Sequence, residues 1–188
     1  MDKRTFLATC SAAALLAACS TTSSSSGNDP ASKRRTIDAE ADGAMTKLYA
    51  QVPGSRELVG RARGVLVFPA IVSAGFVVGA SHGDGALRVG GTTDGYYSTT
   101  SGSVGLLAGA ESKAMYILFM TDDALAKFKA SKGWTAGADA SVTMLKSGAQ
   151  ASLDTMSTQQ PVVAYVLSNA GLMANLSVDG TKISKLEI

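Results

Sequence analysis

The chain has 188 residues, enough for one domain with a sizeable core. Only 17% of them are charged and 20 are glycine, a balance that favours a β-rich fold over a helical bundle. The formal net charge of +2 is too small to argue for nucleic acid, and both cysteines, Cys10 and Cys19, fall in the first twenty residues, which excludes a disulfide or a cysteine metal site from the rest.

Lys3-Arg4 and the apolar run Phe6 to Ala18 have the form of a secretory signal, too short to span a bilayer as a stable helix. Its end, Leu16-Ala17-Ala18-Cys19, resembles the bacterial lipobox, in which the cysteine sulfur takes a diacylglyceryl group and the new N-terminus is acylated. Each buried CH₂ contributes roughly 0.8 kcal/mol, so several acyl chains make a firm anchor. The plainer reading is an ordinary signal peptide with an incidental cysteine. The expected order is a signal peptide over 1–18, a Ser/Thr-rich tether over 19–31 and a folded domain over 32–188. The tether has nothing with which to build a core. By the same resemblance, Ser20 after the cysteine implies sorting to the outer membrane, facing the periplasm.

Ser32 to Ala50 has the spacing of a helix, with Ile37, Ala41, Ala44, Met45, Leu48 and Tyr49 on one face. Lys33-Arg34-Arg35 crowd its first turn, where cations oppose the helix dipole. That placement suits lipid phosphates, or is simply a solvated basic edge. Val52-Pro53-Gly54 ends the helix, and Ser55 is placed to cap a second one. From Lys33 to Arg63 there are seven basic residues (Lys33, Arg34, Arg35, Lys47, Arg56, Arg61, Arg63) against four acidic ones. A basic, partly amphipathic helical pair beside a lipid anchor suits an anionic membrane surface.

Val65 to Phe68 is apolar at every position and reads as a strand buried on both faces, stopped by Pro69. Gly75 and Gly79 mark a bend or a close backbone approach in the run that follows. Ser81 to Gly85, Gly90-Gly91 and Asp94-Gly95 read as turns. Lys113 to Met120 is a strand, and Thr121-Asp122-Asp123 opens a short helix with Leu125 and Phe128 facing inward. Trp134 to Leu145, Pro161 to Ser168, Gly171 to Val178 and Thr181 to Ile188 read as further strands. The predicted class is α+β: a curved antiparallel β-sheet closing into a barrel or sandwich, covered by N-terminal helices and one short inserted helix.

Taken in order, several of these pieces resemble the SYLF domain family of lipid-binding proteins: Gly64-Val-Leu-Val-Phe-Pro, Gly75-Phe with Gly79, His82-Gly83-Asp84-Gly85, Tyr96-Tyr97-Ser98, Gly105-Leu106 with Gly109-Ala110, Ile117 to Thr121 and Gly137 to Ser141. The resemblance covers about residues 35 to 188. It implies phosphoinositide-like head-group binding through a basic N-terminal region, which falls here on the seven basic residues above. Some eukaryotic members bind actin, and that function is not carried over.

No catalytic constellation stands out. His82 is the only histidine and lies among glycines. There is no G-x-S-x-G, Walker or H-E-x-x-H motif, and the Gly83-Asp84-Gly85 run lacks the third glycine of a dinucleotide loop. The expectation is a non-enzymatic, membrane-anchored bacterial lipoprotein, attached through Cys19, without a cofactor or metal, whose partners are anionic membrane phospholipids. The alternatives are a structural or stress-related envelope protein with a protein partner, and an apolar-ligand carrier using the barrel interior.

Overall fold

In a computed structural model the described residues are 29–75, 78–104, 109–145, 160–168, 171–172 and 178–188. Cys19, the proposed tether up to Asn28, and Gly105-Leu106 of the family-like segments lie outside them. Helix α1 is Pro30–Gln51 and α2 is Ser55–Arg61. Then come β1 Gly64–Gly75, β2 Val78–Val89, β3 Thr92–Val104 and β4 Gly109–Phe119. Helix α3, Asp122–Ala130, precedes the short strands β5 Trp134–Thr135 and β6 Thr143–Met144. Strands β7 Val162–Ser168, β8 Gly171–Leu172 and β9 Lys182–Lys185 complete the order.

The strands form one sheet in the order β5-β9-β3-β2-β1-β4-β7-β6, with β8 paired to β7. Side chains alternate between two faces along the central strands. Leu66, Phe68, Met115, Ile117, Phe119, Val162, Ala164 and Val166 point one way, and Val65, Val67, Tyr116, Leu118, Val163, Tyr165 and Leu167 the other. Both sets are buried, which is why Val65–Phe68 of β1, Ala114–Phe119 of β4 and Val162–Leu167 of β7 are unbroken runs of hydrophobic residues. Val166 of β7 and Thr181, next to β9, line the same small cavity although four strands separate β9 from β7. The first face is therefore the inside of the curl. It is filled by α3 and by an aromatic group of Tyr97, Phe119, Phe128 and Trp134, with centroid distances of 4.7 Å for Phe119–Phe128 and 5.7 Å for Phe128–Trp134. Helices α1 and α2 cover the outer face.

The predicted α+β class holds, with a curved sheet under N-terminal helices and one short inserted helix, and the differences lie in detail. The sheet is a half-barrel among the described residues, and it is mixed, because β6 pairs parallel to β7. The predicted strand over Trp134 to Leu145 is two short strands separated by a turn with Gly137 at φ 84°. Other differences are local. Pro69 does not end β1; the strand passes through it in a bulge, with Phe68 to Ile71 opposite only Gly83 to Gly85. Those glycines are accordingly inside β2 and form no turn. Gly90-Gly91, at φ 59° and 84°, do form the predicted tight turn. Asp94 is a bulge in β3, and its carboxylate holds the Lys129 ammonium at 2.8 Å.

Burial governs the tyrosines of the outer face. Tyr116 and Tyr165 are register partners on β4 and β7, and burial pushes both phenols up to about 12. Tyr116 donates to the Ala44 carbonyl at 2.8 Å. Below pH 10 the phenols are protonated in both folded and unfolded chains, so stability is unaffected. Between pH 10 and 12 the unfolded chain loses protons that the folded one keeps, and stability falls, by on the order of 2 kcal/mol per tyrosine. Tyrosinate absorbance is expected to show two phenols ionising together with unfolding. Reversible ionisation near pH 10 in the folded protein would count against this packing.

Candidate functional site

The seven basic residues singled out in the sequence all lie on the helical layer or at its exit. Asp29 caps α1, its carboxylate accepting from Ser32 N at 3.2 Å, with Pro30 pre-set for the first turn. The helix thus starts two residues before the predicted Ser32. Its apolar ridge, Ile37, Ala41, Ala44 and Leu48, packs on the sheet. The apolar side of α1 is thus used by the core, as expected of a helix that covers the sheet. Ser55 is not a cap. Gly54, at φ 80°, precedes α2, and the buried Ser55 hydroxyl lies 2.6 Å from Val52 O and 3.2 Å from Leu48 O, serving the carbonyls at the end of α1.

Helix α1 crosses the strands. Near its start Arg34 donates to the Ile188 carbonyl beyond β9, and Lys33 pairs with Asp84 of β2 at 2.9 Å. Asp38 accepts from Tyr96 at 2.8 Å and Thr93 at 2.7 Å, both on β3. Farther along, Ala44 lies over Tyr116 of β4. One anchor was not visible in the sequence. The Arg88 guanidinium donates to Thr93 Oγ1, the Asp38 carbonyl and Asp42 at 2.7, 3.0 and 2.8 Å, tying α1 to the β2–β3 hairpin. Nothing in a spacing of 50 residues signals such a contact. Beside it, burial and the Asp38 carboxylate push the Tyr96 phenol up.

A groove runs along each flank of α1. On one side Asp42, Met45 and Tyr49 face Arg63, Val65, Arg88 and Gly90-Gly91 across about 430 Å³. On the other, Glu40, Gly43 and Lys47 face Pro69, Ala70, Ser112 and Lys113 across about 270 Å³.

The basic residues therefore divide. Lys33, Arg34 and Arg35 sit near the start of α1. Arg56, Arg61 and Arg63 sit beyond its end, and 17 residues of helix between Arg34 and Gln51 are about 26 Å. Arg56 stacks over the Tyr49 ring at 4.2 Å, Arg61 pairs with Glu57 at 2.6 Å, and Arg63 reaches Asp122 at 3.4 Å. Arg35 and Lys47 show no ion pair or hydrogen bond to the described residues.

His82 is exposed, 3.5 Å from Asp84 Oδ1. Among the described residues no group of three or more His, Cys, Asp or Glu is placed to hold a metal ion, and no helix is long and apolar enough to cross a membrane. The interior cavity lined by Ile71, Thr99, Met115, Val166 and Val178 is about 40 Å³, room for about one water molecule.

Among known proteins, residues 100–187 match the model of the Ysc84 family, described as Las17-binding protein actin regulator. No curated protein matches the chain. The matched residues run from within β3 to the strand β9 and its tail, so α1, α2 and the basic residues precede them. Over residues 100–187 the chain is thus similar to the Ysc84 family, which agrees with the SYLF resemblance of its residues.

Proposed function

We propose that this protein is a lipid-anchored envelope protein, acylated at Cys19, whose SYLF domain binds anionic phospholipid head groups without catalysing a reaction. The observation that carries the reading is the state of Arg35 and Lys47. Both project from a helix whose apolar ridge is committed to the sheet, and neither has an acidic partner among the described residues. Contact with a membrane through α1 is then electrostatic, through head-group phosphates, and leaves the helix in place.

The test uses an unlipidated chain starting at Ser20, which keeps every described residue. This chain is expected to co-float with vesicles of phosphatidylcholine plus phosphatidylglycerol, to ignore phosphatidylcholine alone, and to dissociate at high salt. Arg35→Glu with Lys47→Glu is expected to weaken that binding at least about tenfold, since a cation near such a surface contributes about 1 kcal/mol. Unchanged binding in this variant would sink the head-group reading. Absence of binding to any vesicle would leave the acyl chains alone as the membrane contact and favour a protein partner in the envelope.

A further inference from the structure

The β1–β2 hairpin runs past the edge of α1, and its outer face is left uncovered there. Val72 and Val78 are 51% and 70% exposed, the large hydrophobic side chains that stand out in this way among the described residues. Ala74 and Ala80, register partners of each other, are exposed beside them. The same alternation that points Val65 and Val67 outward under α1 resumes after the bulge with Val72 and Ala74. The sequence from Ile71 to Ser81 carries no charge, and neither does Gly95 to Ala110, which includes the part of β3 paired with it.

We propose that this end of the sheet inserts into the interfacial zone of an anionic bilayer, with Val72, Ala74, Val78 and Ala80 against the acyl boundary. The proposal rests on the head-group reading above and gives it an orientation.

Three observations favour a bilayer over a protein partner. The exposed side chains are small and aliphatic, without the Trp, Tyr or Arg anchors on which protein interfaces depend. Cations stand behind the patch and outnumber the one acid beside it, Glu111, the exposed register partner of Ser73. Lys113 is the register partner of Ile71, Lys182 that of Thr100, and Lys47 looks across the groove at Pro69 and Ala70. Long cationic side chains at that level reach phosphates while Val72, Ala74, Val78 and Ala80 go deeper. The three residues from Val72 to Gly75 advance about 10 Å, the depth to which interfacial elements enter a membrane.

The tether fits as well. Lys33, one turn into α1, touches Asp84, and the six residues back to Val78 span about 20 Å of strand. Ser20 to Asp29 extends to about 35 Å at most, enough to let a lipid at Cys19 and the hairpin share one surface. Arg56, Arg61 and Arg63, by contrast, lie at the Gly64 end of β1, about 35 Å from Gly75, and face away from the membrane in this orientation.

A chain starting at Ser20 contains no cysteine, which allows single-site labelling. An environment-sensitive fluorophore on Val78→Cys is expected to brighten and shift to the blue on adding phosphatidylglycerol vesicles. The same label on Thr92→Cys, at the opposite end of the sheet, is expected to stay silent. Val72→Glu with Val78→Glu should weaken co-flotation at least about tenfold with Tm unchanged. Arg56→Glu with Arg61→Glu should leave it within about twofold.

A silent Val78 label on a chain that still co-floats would overturn the insertion and leave head-group binding standing. A Val78 label that responds equally to neutral vesicles would uphold insertion and overturn the head-group reading. A response at Thr92, or loss of binding on reversing Arg56 and Arg61, would overturn the orientation.

Discussion

Replacing Gly85 with alanine is expected to lower stability by about 3 kcal/mol, near the upper end for a side chain forced into a packed interior. For a chain of this size that is a fall in Tm of about 10 °C. The cause is space and not backbone conformation, because Gly85 sits in regular strand. A Cβ there would lie 2.6 Å from Phe68 Cδ1 and would also press on the Val67 carbonyl. Neither can yield. Phe68 is fully buried on the inner face, and Val67 is paired to β2 and β4 in the centre of the sheet. Gly83 repeats the constraint one pleat away, its Cβ position 2.7 Å from the Ala70 carbonyl and 3.0 Å from Ile71 Cγ1. Both glycines face the bulge at Pro69-Ala70, where β1 folds an extra residue toward β2. Gly102→Ala is the matched control. It lies on β3 with nothing within 4 Å of the new methyl group, and its Tm should not fall. Thermal unfolding followed by circular dichroism separates the two, and equal Tm values for Gly85→Ala and wild type would mean that the bulge is not packed as described.

The bulge also shows where sequence reading stops. The run Val65–Phe68 announces a strand buried on both faces, Lys113–Met120 and Pro161–Ser168 announce strands, and the structure has all three, with Ala114–Phe119 and Val162–Leu167 buried on both faces as well. The caps and spacing of α1 and α3 are equally local, and both helices form close to the predicted limits. Glycine is ambiguous in a way these signals are not. A glycine needed for positive φ, as at Gly90 and Gly91, and one needed for close approach, as at Gly83 and Gly85, look alike in sequence, so β2 reads as broken where it is continuous. Pro69 misleads for a related reason, because a bulge removes the need for its missing N–H. The excess of basic residues between Lys33 and Arg63 is countable in the sequence. Their division between the two ends of α1 is not, because it depends on the direction in which the helix crosses the sheet. That direction is fixed by Arg88 meeting Asp38 and Asp42 and by Tyr116 meeting Ala44, contacts between residues 46 to 72 apart in the chain.

Truncating Phe119 to alanine is expected to cost about 3–5 kcal/mol, the range for deleting a buried phenyl ring. Its ring is fully buried, 4.7 Å from Phe128 and 6.3 Å from Trp134, and these partners are held in turn by α3 and by β5. They are parts of short elements with few contacts of their own, so the lost ring cannot be replaced without moving α3 and the β5 edge. A Tm lower by about 10–15 °C should result. The variant also tests how the interior is used. Among the described residues the curl holds a cavity of about 40 Å³, too small for an acyl chain, so a fatty acid is expected to leave the Tm of the wild-type chain unchanged. Phe119→Ala opens an apolar void of the kind that binds small aromatic molecules, and benzene is expected to recover part of its lost Tm. If a fatty acid instead raised the wild-type Tm, the inner face would be a ligand chamber and the domain a carrier. If neither ligand has any effect on wild type and benzene rescues the variant, the aromatic group is packing alone, and contact with lipid belongs to the outside of the sheet.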